Sequence, residues 1–178
     1  MPYTEVCFGK LLFGFDCGAK ALQLVMAYYG LDIREDELIG ELNCDVVHGV
    51  PPQRMIAVAE AKGFRVVAKC DFSLEEVKQV VDKNQPVIVL VQAWAERYMT
   101  LDDWKDDKDD GHYVIVIGHN GSIIVFEDPS SFRRTWLTEE EFLARWHDTE
   151  PVTKEKLDRF AMVLLGKEPA SKVIEHMG

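Results

Sequence analysis

Residues 111–129 read GHYVIVIGHNGSIIVFEDP. Two apolar, β-branched runs, His112–Gly118 and Ser122–Glu127, flank the turn residues His119, Asn120 and Gly121. That is the pattern of an antiparallel hairpin. Its register sets which side chains meet. If His119, Asn120 and Gly121 form a three-residue loop with Gly121 left-handed, Gly118 faces Ser122, Val116 faces Ile124 and Val114 faces Phe126. His112 then faces Asp128 on one side of the sheet, with Cβ atoms about 5 Å apart. That separation lets a carboxylate orient an imidazole. A two-residue Asn-Gly turn moves the register by one and sends the pair to opposite faces. The sequence permits both turns. Each residue also has an ordinary reading: His112 as a strand-edge residue near solvent, Asp128 as a turn initiator before Pro129.

Outward from the hairpin, further strands are expected at Phe64–Ala68, at Pro86–Val91 and at Asp158–Leu165. PVIVLV (residues 86–91) reads as buried on both faces. Helices are expected on the N-terminal side. Cys17–Tyr29 carries Ala21, Leu22, Val25, Met26 and Tyr29 at helical spacing, and Gly30 stops it. Arg34–Leu42 is a short acidic amphipathic helix. Pro51 or Pro52 opens another through Ile56, Ala57 and Ala61, closed by Gly63. Ser73 with Glu76, and Thr138 with Glu141, are capping boxes for two more, the second running through Phe142 and Trp146. Thr100–Gly111 reads as a loop, and the last dozen residues as frayed or a short helix. Helices first and hairpin-linked strands after give an α+β fold, with the helices packed on an antiparallel sheet, in one domain over residues 1–178.

Composition excludes several classes. The 31 acids and 20 bases give a net charge of -11, which disfavours nucleic acid and anionic membranes as partners. A hydrophobic fraction of 47% excludes a disordered chain. The longest apolar run, Pro86–Ala95, is about strand length and far short of the roughly 20 residues of a spanning helix. The opening MPYTEVCFGKLLFGFDCG is not a clean secretion signal, so a cytoplasmic location is the default. Cys7, Cys17, Cys44 and Cys70 form no CxxC pair, which argues against a zinc ribbon and a dithiol redox centre. Free thiols are expected.

Cys17 opens a predicted helix between Asp16 and Gly18. Unpaired N–H groups and the positive end of the helix dipole favour a thiolate there. The ordinary reading of a lone cysteine is a small core residue. With His112 and Asp128 it completes a thiol, a base and an orienter, the logic of nucleophilic catalysis.

FDCGAKALQLVMAYYG (residues 15–30) resembles the nucleophile helix of the bacteriocin-processing, double-glycine-leader cysteine peptidases, and residues 111–129 resemble their His strand, hairpin and Asp-Pro turn. The resemblance extends through PVIVLV and EEFLARW, and so over most of residues 11–147. It implies a papain-like fold, a Cys17 nucleophile, a His112 base and an Asp128 orienter. It further implies peptide cleavage after small residues, often Gly-Gly, without a cofactor, as in stand-alone members of the family. The family pattern has a Gln six residues before the Cys, donating to the oxyanion. Leu11 stands there in this chain. The backbone N–H of Cys17 is then one donor, and Lys10 or Gln92 is the candidate for the other.

DDWKDDKDDG, residues 102–111, fails as an EF-hand, because Lys108 and Ile117 stand where ligands belong. It reads as a solvated acidic loop, or as a negative rim beside His112 that raises the imidazole pKa and favours basic substrates. Trp94 and Trp104 are expected to be packing or groove-wall residues, Trp136 and Trp146 core. The expected partner is a peptide or protein substrate. The rival readings are a thiol acyltransferase or amidase, a catalytically weak peptide-binding module, and a Cys-His-Asp metal site.

Overall fold

The apolar run after Pro86 becomes β2 (Val87–Gln92), every residue of which is buried. It pairs antiparallel with β3 (Gly111–His119) on one side and with β6 (Ala161–Leu165) on the other. Around them β1 (Arg65–Lys69), β4 (Ile123–Glu127) and β5 (Thr135–Thr138) complete a six-stranded antiparallel sheet in the order β1-β6-β2-β3-β4-β5. The computed structural model describes Thr4, residues 15–150 and residues 152–170. The C-terminal strand β6 thus inserts between β1 and β2.

A sheet buried on both faces needs a layer on each. On one face lie α1 (Cys17–Tyr28), α2 (Glu35–Leu42) and α3 (Pro52–Ala61), packed with Ile88, Leu90, Tyr113, Ile115 and Ile117. On the other lie α4 (Leu74–Val81) and α6 (Glu139–Arg145), whose Val77, Val81 and Phe142 meet Val89, Val114, Val116 and Phe126. Phe142 stacks on Trp146 with ring centroids 4.6 Å apart.

The hairpin differs from its expected register. Asn120 Oδ1 accepts the N–H groups of Ser122 and Ile123, each at 3.0 Å, and Gly121 takes φ 83°. This local bond shortens the loop to Gly121 and Ser122. His119 pairs with Ile124 and Gly118 with Val125, but Val116 pairs with Phe126 and Ile115 with Glu127. Ile117 is therefore the extra residue of a β-bulge. One step further this register sets Asp128 beside Val114 rather than His112. The shift from the expected pairing is two residues, so His112 and Asp128 keep a common face.

Two other expectations are corrected. Thr100–Gly111 is not all loop: α5 (Leu101–Asp106) forms within it, because Thr100 and Asp103 make a capping box and Trp104 is buried against Arg145. Trp136 is 58% exposed on β5, a strand too short and polar to announce itself. The C-terminal expectation falls largely outside the described residues.

The cap of α4 is reciprocal, with Glu76 N–H donating to Ser73 Oγ at 3.1 Å and Ser73 N–H to Glu76 Oε2 at 2.7 Å. Ser73→Ala is expected to lower stability in urea denaturation by about 1 kcal/mol. Cys17 should keep its alkylation rate, since this cap lies on the sheet face away from α1.

Candidate active site

Helix α1 is buried on nearly all sides, from Gly18 to Tyr28, and so its position is fixed by the core rather than by solvent. Gly18 is required by packing: a Cβ there would overlap Val50 and crowd Tyr113 and Met55. Asp16 is the N-cap, and its carbonyl accepts Lys20 N–H at 2.9 Å. Lys20, on the second turn, is buried against Glu35 in an ion pair and donates to Gln23 Oε1 at 2.8 Å. Gln23 in turn donates to Ile33 O at 2.7 Å. Burial raises the Glu35 pKa, partly offset by Lys20 and reinforced by the Asp16 carboxyl. This polar network ties the start of α1 to α2. Cys17 is the first helical residue, so its backbone N–H has no partner within the helix.

His112 and Asp128 are brought together. The imidazole Nε2 lies 2.8 Å from Asp128 Oδ1, with the residues 6% and 3% exposed. Ser130 N–H donates to the same oxygen at 2.8 Å. Trp94 Nε1–H and Thr135 Oγ1 donate to Oδ2 at 3.1 and 3.4 Å. By strand alternation this pair belongs to the face of Val91 and Val114, not to the face that carries α1. The α1 side at this point is taken by Tyr113, whose hydroxyl donates to Val50 O at 3.2 Å. His112 stands at the beginning of β3, and Cys17 is, with Asp128, among the groups that raise its pKa. With Nε2 on the carboxylate, Nδ1 is the nitrogen left for the sulfur.

Burial alone would lower the His112 pKa. The hydrogen bonds to Asp128 and Cys17 and their charges outweigh it and raise it to about 9. The imidazole therefore holds its second proton at neutral pH. Asp128 and Cys17, rather than the acidic stretch, supply the largest of these effects. Burial opposes ionisation of Asp128 too, but the His112 bond and charge, the Ser130 N–H and the Trp94 indole bring its pKa below the usual carboxylate value.

Cys17 lines a cavity of about 270 Å³ with Val50, Leu90, Tyr113, Asp148 and Glu150. Gln92 is next to it but engaged: its Nε2 donates to His147 O at 3.1 Å and Asp148 Oδ1 at 3.2 Å, and its Oε1 accepts Asp110 N–H at 2.9 Å. Both amide hydrogens are spent on the chain that follows α6. Lys10, Leu11 and Cys7 lie outside the described residues. Cys44 and Cys70 are free thiols. Burial, with the charges of Asp16 and Cys17, raises Cys44 to about 11, and burial with three nearby acids raises Cys70. Among the described residues no group of three or more His, Cys, Asp or Glu could hold a metal ion. The partners of Asp128 besides His112 were not legible in the sequence, because Trp94, Ser130 and Thr135 carry no motif.

Three comparisons bear on this arrangement. The structure resembles that of a C39-like peptidase from Bacillus anthracis, with TM-score 0.71 and 17% identity over 94% of this chain and 99% of that one. It resembles the peptidase domain of Streptococcus ComA, a bifunctional ABC transporter of a quorum-sensing pathway, with TM-score 0.66 and 21% identity over 92% and 100%. It also resembles a double glycine motif protease from an AMS/PCAT transporter, solved with its leader peptide, with TM-score 0.64 and 16% identity over 91% and 92%. These share a papain-like fold with the chain. No curated protein sequence matches it. A family model described as Peptidase_C39 like family matches residues 16–154. No helix among the described residues is long and apolar enough to cross a membrane.

Two outcomes are expected. Limiting iodoacetamide near neutral pH should label Cys17 before Cys44 and Cys70, read by peptide mapping, and His112→Ala should slow that labelling. The second concerns stability. The folded pKa of His112 is raised above its unfolded value, so its contribution is full below about pH 6.5 and is lost as pH rises through about 9. The advantage of wild type over His112→Gln in urea denaturation should shrink across that window.

Proposed function

The chain belongs to the Peptidase_C39 like family, and we propose that it is a cysteine peptidase cleaving peptides after small residues, of the Gly-Gly type, through Cys17, His112 and Asp128. The observation that carries this reading is the imidazole of His112, with Nε2 2.8 Å from Asp128 Oδ1 and its pKa raised by Asp128 and by Cys17 at the first turn of α1. The Gly-Gly preference is supported by the double glycine motif protease among the similar structures.

The proton-holding imidazole and the sulfur then divide the work. The Cys17 thiolate attacks the scissile carbonyl carbon, forming a C–S bond and placing negative charge on the oxygen. The Cys17 N–H, free at the helix start, donates to that oxygen. His112 passes its proton to the departing amine as the C–N bond breaks, leaving an acyl-enzyme. A water then loses a proton to His112 and attacks the thioester. The acid product leaves, and the thiolate is restored beside a protonated imidazole. Asp128 holds the ring's orientation and stabilises its charge throughout.

The second oxyanion donor is the open element. Leu11 has no polar hydrogen, and Gln92 has none to spare. Lys10 is the remaining candidate. Loss of one donor typically costs about a hundred- to a thousandfold in rate. Leu11 thus also favours a second reading, a peptide-binding module that turns over slowly.

The test is one Gly-Gly peptide presented to wild type, Leu11→Gln, Lys10→Ala and Cys17→Ala. If the donor is missing, Leu11→Gln should raise turnover by up to about a hundred- to a thousandfold. If Lys10 fills the role, wild type should already be active and Lys10→Ala should lose most of that activity. Cleavage surviving in Cys17→Ala would overturn the chemistry. Binding without cleavage in any variant would favour the binding module.

A further inference from the structure

Trp94 lies just beyond β2, with φ 66°. A bulky aromatic residue rarely takes that left-handed conformation, and such strain is held where surrounding contacts demand it. Packing does not supply the demand, because the residue is 57% exposed. One contact does. The indole Nε1–H donates to Asp128 Oδ2 at 3.1 Å, while the carboxylate itself is 3% exposed. The other side-chain donor to that oxygen, Thr135 Oγ1, is more distant at 3.4 Å. Oδ1 faces His112 Nε2 and Ser130 N–H.

We propose that Trp94 is a positioning residue of the proposed triad: its indole N–H fixes the rotation of the Asp128 carboxylate so that Oδ1 stays on His112. This rests on the peptidase reading only for the reaction it serves. A carboxylate's last torsion is broad, with no strong preference of its own. A donor on each oxygen removes that freedom. The strained backbone brings the indole to Oδ2, which an extended residue at the end of β2 would point elsewhere. Among the described residues, the titratable groups beside the pair are Cys17 from α1 and Arg145 from α6, which lines the same cavity of about 200 Å³ as Trp94 and Asp128. Glu127 is on the opposite face and lies 3.4 Å from Arg134.

Trp94→Phe keeps an aromatic ring and deletes the donor. We expect kcat on a Gly-Gly peptide to fall about tenfold with KM little changed, the usual scale of a hydrogen bond to a charged group. The His112 imidazole, followed by NMR, should titrate at lower pH than in wild type, since a loosened carboxylate stabilises the imidazolium less. Alkylation of Cys17 near neutral pH should slow. In an Asp128→Ala background, Trp94→Phe should add little to any of these. Trp136→Phe, in the same cavity wall, should leave all of them unchanged. An unchanged His112 titration, or an equal effect of Trp94→Phe with and without Asp128, would overturn the proposal. If wild type cleaves no peptide, the peptidase reading fails, while titration and alkylation still decide the role of Trp94.

Discussion

The bulge at Ile117 sets the relation between the imidazole and the carboxylate. In an antiparallel ladder each residue of slip turns every side chain to the other face. The two-residue loop at Gly121 and Ser122 by itself gives a register in which His112 and Asp128 part company. The extra residue restores the parity. The local twist and bend of a bulged strand also suit a hairpin whose far end places one carboxylate among four partners. Everything proposed for the site depends on this count being even.

A second constraint acts on the sulfur. Helix α1 has almost no solvent face, so side-chain packing settles its place and rotation. Gly18 lets it approach Val50 and Tyr113 closely, with His112 beside Tyr113 at the start of β3. The buried Lys20–Glu35 pair is costly to desolvate and contributes little net stability as an ion pair. Its evident effect is geometric, since with Gln23 it joins the first turns of α1 to α2 and the chain before it.

Much of the fold was legible because the signals were periodic or local. The hairpin, the central strand after Pro86, the caps at Ser73 and Thr138, and helix α1 each announce themselves within about a dozen residues. Helix α5 was missed because like charges mask its capping box, and β5 because four residues with mixed burial carry no pattern. Trp136, expected in the core, is exposed instead. Nothing local says that β5 lies at the sheet edge, where one face stays open to solvent.

Element types, the antiparallel hairpin, the helix-start position of Cys17 and the three residue types proposed for the chemistry are all local properties of the chain. The turn is not, because Asn120 and Gly121 suit loops of either length. The register, the face on which His112 lies and the donors that surround Asp128 came from the folded arrangement. Those depend on contacts between residues far apart in the chain. Tyr113 takes the α1 side because Val50 accepts its hydroxyl, and Asp128 meets Trp94 across 34 positions of sequence. Periodicity records which side chains are buried, whereas partner choice is settled by packing among elements, which no single segment encodes.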